Sequence, residues 1–309
     1  MNKKNILIVT IIILVAAIVC YLIFNYFSKS LSYVNISINP SVELAINNNN
    51  IVEEVIPINE EADIIVSDLE LVGMNIDEAS ETIIDAAIET GYIDEYSYEN
   101  IIVVTAADDN EQVRQRIEER VMETINKRFE NKEIFPVVIT GASDEIKAEA
   151  AKYDISIGKT LIINRAVLLD TSLTKDELVT LSVKEIQQEI KDVVTARHEA
   201  STLSKEELKT KLQEEKEVLR KTYKTRVREL ENNLLDEAGF DTATMTEEQK
   251  RNATSDVLKE KKEELKEKAT EIKNEIKNTP NNETYIEIRG TMEKNKTRTN
   301  QNNNNVEKE

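Results

Sequence analysis

A short segment near residue 40 places an asparagine, a proline, a hydroxyl and a carboxyl within five positions. It reads Asn39, Pro40, Ser41, Val42 and Glu43. Ordinary asparagine breakdown requires the next backbone N–H to attack the side-chain amide, and Pro40 has no such N–H. The route that remains is the reverse one, in which the Asn39 side-chain nitrogen attacks its own carbonyl carbon and expels Pro40 as an amine. Because Asn-Pro is also a common turn dipeptide, an inert turn stays open as the alternative.

Two neighbouring side chains can assist such a reaction. Ser41 and Glu43 are candidates for proton transfer, because a hydroxyl or a carboxyl beside the bond can relay a proton to the leaving nitrogen. A tight hairpin that twists the Asn39–Pro40 amide out of its plane weakens the resonance of that amide. The candidate catalytic residues are therefore Asn39, Pro40, Ser41 and Glu43, and the activity is at most a single-turnover autoproteolysis.

The rest of the sequence offers little material for conventional catalysis. Cys20 is the only cysteine and His198 the only histidine, so zinc sites and histidine-based triads lack their residues. We expect His198 to be solvated. The acidic run at residues 108–111 fits a helix N-terminus better than a calcium loop. We therefore expect no metal and no cofactor, and a hydrolase or metal enzyme is the weakest hypothesis.

The charge of the chain limits its partners. The formal net charge is -19, which repels nucleic acid and anionic lipid. We therefore expect no nucleic-acid partner. The charge of the chain does not identify a protein partner.

The N-terminal region predicts a membrane anchor. Residues 6–24 are almost entirely apolar, and a helix of that length rises about 28 Å, enough to cross the hydrocarbon core. Lys3 and Lys4 directly precede this segment, so the positive-inside bias places residues 1–5 in the cytoplasm as a short stub. The sequence predicts a single-pass protein of the cell membrane, with a cytoplasmic N-terminus and an extracytoplasmic C-terminal bulk.

Residues 33–193 alternate the patterns of strands and helices. Strand patterns begin near residues 33, 42, 51, 101 and 135, and helical patterns near residues 75, 108, 143 and 158, with a last helical stretch behind capping boxes at Thr174 and Ser182. The predicted order is βββαβαβααα. We expect an α/β sandwich domain with a mixed sheet.

Residues 200–309 differ from this domain in composition and in sequence pattern. Residues 200–279 carry apolar stripes at helical spacing behind capping signals at Ser204 and Thr246, with Gly239 between them. Such stripes need a partner, so we expect a long, charged antiparallel helical hairpin that can also bind an unknown protein. Residues 280–309 are rich in Asn and predicted to be disordered.

The segment around Asn39 resembles one known family. A predicted span is followed shortly by a strand, an Asn-Pro-Ser-apolar-Glu-Leu turn and a second strand, which resembles the extracytoplasmic juxtamembrane domain of the RsgI-like anti-sigma-I factors of clostridia and bacilli. The resemblance covers residues 6 to about 170, including the stretch at residues 155–163. It implies self-cleavage of the Asn39–Pro40 bond and a sensor role in signal transduction.

Two features depart from that family. Its members bind their sigma factor through a cytoplasmic domain before the span, whereas this sequence has only residues 1–5 there. The anti-sigma domain is then encoded separately, lost, or missing through a truncated start, and we expect no direct sigma-factor binding from the stub. Many relatives also carry carbohydrate-binding modules, whose aromatic platforms are lacking here, since the aromatics after residue 171 are Tyr223, Phe240 and Tyr285.

Two hypotheses of function follow. The first is a membrane-anchored extracytoplasmic signalling component that resembles the sensor part of an anti-sigma-I factor and cleaves itself at Asn39–Pro40. The alternative is a non-enzymatic membrane-anchored adaptor, in which the Asn-Pro turn is inert and the hairpin of residues 200–279 docks a partner.

Overall fold

The computed structural model describes residues 31–278 apart from residues 99, 109 and 141–143. The predicted cytoplasmic stub, the predicted span at residues 6–24 and the predicted tail at residues 280–309 lie outside the described residues. Within the part of the chain that is described, no helix is both long and apolar enough to cross a membrane.

A mixed five-stranded sheet forms the centre of the fold, as the sequence predicts. Its strands are β1 (Ser32–Ser37), β2 (Ser41–Ile46), β3 (Val52–Pro57), β4 (Ile101–Ala107) and β5 (Val137–Thr140). Their spatial order is β3-β2-β1-β4-β5, and all neighbours are antiparallel except β4 and β5, which run parallel. Strand β1 therefore lies in the middle of the sheet, with a hydrogen-bonded strand on each side.

Helices follow the strands in an order that differs in part from the prediction. The described helices are α1 (Glu60–Val66), α2 (Ile76–Glu89), α3 (Glu111–Lys132), α4 (Asp144–Tyr153), α5 (Ile157–Leu169), α6 (Lys175–Leu178), α7 (Val183–Glu199), α8 (Lys205–Glu237) and α9 (Glu247–Asn278). The predicted order lacks α1, because a helix of barely two turns shows little periodicity. The stretch behind the two capping boxes is two helices, α6 and α7, each starting at its own box.

Different helices cover the two faces of the sheet. On one face, Val34 and Leu44 belong to a buried cluster with apolar side chains of α2 and α3. On the other face, Tyr33 and Ala45 belong to a second cluster with side chains of α5 and α7. Since neighbouring residues of a strand point to opposite faces, this alternation builds a three-layer α/β sandwich. The predicted fold class of this part of the chain is confirmed.

The long helices α8 and α9 contact each other, and each also contacts the α/β sandwich. Helix α8 lies against α1 and α2, where the fully buried Lys216 ammonium donates to the Ile65 carbonyl oxygen at 2.5 Å and pairs with Asp68. Gly91 lies just after the end of α2, and the Tyr223 ring of α8 packs on it. A Cβ at position 91 would lie only 2.5 Å from that ring. Part of the predicted apolar stripe is therefore buried against the sandwich rather than against α9.

Tyr223 should decide how firmly α8 is docked. The side chain is 8% exposed, and its hydroxyl accepts a hydrogen bond from the Glu95 N–H at 3.1 Å. We expect Tyr223→Ala to weaken docking by about 3 kcal/mol through lost packing, and Tyr223→Phe by only about 1 kcal/mol through the lost hydrogen bond. Amide hydrogen exchange along α8 measures both, and unchanged exchange in Tyr223→Ala would show that the ring does not hold the helix.

Candidate functional site

The turn between β1 and β2 places Asn39 at its tip. The last paired residues of the two strands are Ser37 and Ser41, so the connection consists of Ile38, Asn39 and Pro40. Asn39 is exposed and has a φ of 64°. The Ile38 N–H donates to the Pro40 carbonyl oxygen at 2.7 Å. The backbone therefore folds back on itself across Asn39.

Asn39 adopts an uncommon conformation for its place in the sequence. Asparagine tolerates the left-handed region better than most residues with a Cβ, which explains why this type occupies the tip. A residue before proline, however, normally takes an extended conformation, because the proline ring crowds it. The hairpin holds Asn39 away from that preference, and this stores strain beside the Asn39–Pro40 bond.

The side chain of Asn39 is held by a second asparagine. The Asn59 Nδ2 donates to Asn39 Oδ1 at 3.1 Å. Asn59 is the N-cap of α1, and its Oδ1 accepts from the backbone N–H groups of Ser41 and Ala62, both at 3.1 Å. One residue therefore caps a helix, ties down the start of β2 and contacts the predicted nucleophile.

Ser41 lies beside the turn with its polar groups engaged. Besides its N–H bond to Asn59, its carbonyl oxygen accepts from the Ile58 N–H at 2.9 Å. Its hydroxyl accepts from Asn35 Nδ2 at 3.0 Å. These contacts fix the residue that follows Pro40, while the role of the Ser41 hydroxyl in proton transfer stays a prediction.

Glu43 lies two residues further along β2, on the same face as Ser41. Its side chain is 1% exposed, and its carboxylate forms an ion pair with the Arg165 guanidinium of α5. Burial lowers the pKa of Arg165 to about 10, which leaves the guanidinium charged at neutral pH. The contact observed for Glu43 links the sheet to α5, and its role in proton transfer stays a prediction.

The segment that leads into α1 is anchored from the last turn of α7. Arg197 donates to the carbonyl oxygens of Ile58 and Pro57, both at 2.9 Å, and pairs with Asp63 at 2.8 Å. His198 Nε2 lies 2.8 Å from the other oxygen of Asp63, whose side chain is 8% exposed. The His198 side chain is 40% exposed, so it is in contact with solvent as the sequence predicts, and it also contacts Asp63.

The arrangement suits a reaction within the chain. It presents a side-chain amide, a left-handed backbone conformation directly before the proline and a neighbouring residue that orients the amide. In the described ranges, no group of three or more His, Cys, Asp or Glu side chains is placed to hold a metal ion.

Sequence reasoning misses two residues of this site, Asn59 and Arg165. An asparagine followed by two acidic residues is a helix-start signal, so the sequence around Asn59, Glu60 and Glu61 contains enough information to predict the helix cap. The contact of Asn59 with Asn39 joins residues 20 positions apart, so no local sequence pattern predicts it. Arg165 stands within an apolar run of α5, and a charge in such a run is a signal for a buried pair.

Comparison with known proteins supports the resemblance. Residues 31–165 match the family model of the anti-sigma factor RsgI-like central domain. Among curated proteins of Acetivibrio thermocellus, anti-sigma-I factor RsgI7 is 30% identical over 182 residues, which is 59% of this chain and 33% of that protein. Anti-sigma-I factor RsgI4 is 24% identical over 163 residues, 52% of this chain and 31% of that protein.

A third relative from the same organism matches more of the chain. Anti-sigma-I factor RsgI5 is 25% identical over 209 residues, which is 63% of this chain and 44% of that protein. The chain thus spans about a third of the length of RsgI7 and RsgI4. The matched family model contains the β1–β2 hairpin with Asn39 and Pro40, the whole sheet and most of α5. The comparisons therefore support the assignment of residues 31–165 to the family of anti-sigma factor RsgI-like central domains.

Proposed function

We propose that the chain is a membrane-anchored extracytoplasmic signalling protein whose central domain cleaves itself once, between Asn39 and Pro40. The observation that carries this proposal is the left-handed Asn39 directly before a proline, with its side-chain oxygen held by Asn59. A turn that only connects two strands needs neither feature, since common turn types accommodate an Asn-Pro pair with a negative φ at the asparagine.

The reaction uses only atoms of the turn. Asn39 Nδ2 forms a bond to the Asn39 carbonyl carbon, and the bond from that carbon to the Pro40 nitrogen breaks. One proton passes from Nδ2 to the departing nitrogen, which becomes a secondary amine. The first fragment then ends in a succinimide, and no water enters the products. The attack closes a five-membered ring, so nucleophile and carbonyl carbon belong to the same residue. Such an intramolecular reaction is much faster than the corresponding bimolecular one, because the two groups do not have to find each other.

The fold explains how the two fragments would stay together. Strand β1 pairs with β2 along its whole length and with β4 from Tyr33 to Ser37. Its side chains Val34 and Ile36 are fully buried. Cleavage removes the covalent link between β1 and β2 but none of these hydrogen bonds or apolar contacts. The cleaved protein is therefore expected to behave as one particle until it is denatured or pulled apart.

The signalling role is extended from the relatives, which are named anti-sigma-I factors. In this proposal residues 6–24 anchor the chain, residues 1–5 are cytoplasmic and the α/β sandwich lies outside the membrane. Residues 200–279 offer a long charged helical surface to a protein partner.

Comparison of the native and the denatured chain tests the proposal. We expect purified full-length protein to elute from a sizing column in detergent as one species, but to run on a denaturing gel as two fragments, the larger beginning at Pro40. Chain kept in denaturant from synthesis onward is the control and should stay whole, because an unfolded Asn-Pro bond is neither strained nor aligned. A single full-length band in the folded sample would favour the inert adaptor.

A further inference from the structure

We infer that Asn59 is a positioning residue for the cleavage, through its hydrogen bond from Nδ2 to Asn39 Oδ1. This inference rests on the proposed function and deepens it. Asn59 does not react, since it donates to the amide oxygen of Asn39 and not to the scissile bond. It acts by setting which end of the Asn39 amide faces the turn.

The orientation of both amides follows from the hydrogen-bond network. Two backbone N–H groups, those of Ser41 and Ala62, point at one atom of the Asn59 side chain at 3.1 Å each. Only the oxygen can accept from both, so the other atom of Asn59 is the NH2 group. That group faces Asn39, and a donor there requires Asn39 to present its oxygen. The nitrogen of Asn39 is consequently the end turned away from Asn59.

This contact favours the reaction in two ways. It stops the Asn39 amide from turning its nitrogen toward Asn59, where the nitrogen would serve as a donor instead of a nucleophile. It also stabilises the transition state, because the amide nitrogen loses a proton as it attacks, and the negative charge that develops is shared with the amide oxygen. A preorganised donor at an oxygen that gains charge accelerates a reaction.

The backbone around Asn59 is held by the start of α1 and by Arg197 of α7. The Asn59 backbone starts α1, and the preceding carbonyl groups of Pro57 and Ile58 accept hydrogen bonds from Arg197 on α7. Arg197 also pairs with Asp63, one turn into α1. A side chain fixed in this way can hold Asn39 at little further cost in conformational entropy.

The variant Asn59→Asp distinguishes the positioning of Asn39 from the capping of α1. An aspartate keeps the acceptor for Ser41 and Ala62 and so keeps the cap, but at neutral pH it has no donor for Asn39. The full chain is recovered unfolded and uncleaved, and cleavage is started by dilution into detergent over a range of pH. At neutral pH we expect the variant to cleave at least about tenfold more slowly than wild type, as expected for loss of one donor to a developing charge in a partly solvated site.

The pH profile distinguishes a lost donor from a disturbed turn. When the pH falls below the ordinary aspartic acid pKa of about 3.9, the introduced side chain becomes protonated. Its O–H then again donates to Asn39, so the ratio of variant to wild-type rate should rise. The neighbouring charged groups, which are Glu60, Glu61, Asp63, Arg197 and His198, are present in both proteins, so their own titration affects both rates. The matched control is Asn110→Asp, since Asn110 caps α3 through the same kind of contacts far from Asn39, and this variant should cleave like wild type.

The outcomes separate the inference from the function on which it rests. If wild type does not cleave, the proposed function fails and the role of Asn59 falls with it. If wild type cleaves and Asn59→Asp cleaves equally fast, the positioning role alone is overturned. A variant that is slow to the same degree at every pH would also overturn it, because that result indicates disturbed local structure. Slow cleavage at neutral pH with recovery in acid supports it.

Discussion

Replacing Asn39 by glycine should leave the folded chain whole. Glycine adopts a φ of 64° without strain, so the hairpin keeps its shape, but the attacking amide is gone and the expected loss of cleavage is complete. Asn39→Ala removes the same amide and should also stay whole, although its Cβ makes the left-handed conformation less favourable. A denaturing gel of the purified variants beside wild type measures the result.

Two comparisons make this prediction specific. The sizing profile of Asn39→Gly should match that of wild type, and its thermal midpoint should be no lower, because the uncleaved chain keeps the covalent link between β1 and β2. Both results show that the loss of cleavage does not come from a loss of fold. Cleavage of Asn39→Gly at the same position would contradict the account, because the bond would then break without the side chain that is assigned the attack.

Arg165→Ala should produce the largest loss of stability. Its guanidinium pairs with the Glu43 carboxylate, which is 1% exposed, and removal of one partner leaves a buried charge without compensation. The expected cost is about 3–5 kcal/mol, which lowers the thermal midpoint by roughly 10 °C. Calorimetry or circular dichroism of the purified chain measures the shift.

Two controls accompany this variant. Arg116→Ala removes an exposed arginine of α3 and should change the midpoint little. The double variant Glu43→Leu with Arg165→Met removes both charges and should recover most of the lost stability. If the double variant folds and still cleaves, Glu43 serves the fold and not proton transfer. Equal destabilisation in Arg165→Ala and Arg116→Ala would contradict the buried ion pair.

The sequence predicts those parts of the fold whose signals are local. Alternation in β1 places Val34 and Ile36 on one buried face, as observed. The helical pattern near residue 75 is α2, which Asn75 caps, and the predicted boxes at Thr174 and Ser182 both start helices. Each of these patterns lies within a few residues of chain, where backbone geometry alone relates the side chains.

Contacts between distant residues are what the sequence does not predict. Periodicity indicates that one face of α8 is buried, but not that Lys216 and Tyr223 meet α1, α2 and the loop after α2. The same limit applies to the site. Asn39 and Pro40 are visible as a reactive pair, whereas Asn59 reaches Asn39 only because β3 returns beside β2 and places the start of α1 next to the hairpin.

The intact masses of the fragments test self-cleavage most directly. Folded full-length chain is denatured at early times and its components are weighed by mass spectrometry. Attack by Asn39 should give two components, residues 1–39 and residues 40–309, whose masses add up to that of the whole chain without a water, because the first fragment ends in a succinimide. Hydrolysis of that ring adds one water later. A single component of full mass after prolonged incubation, or fragments that contain the extra water from the first time point, would contradict attack by Asn39.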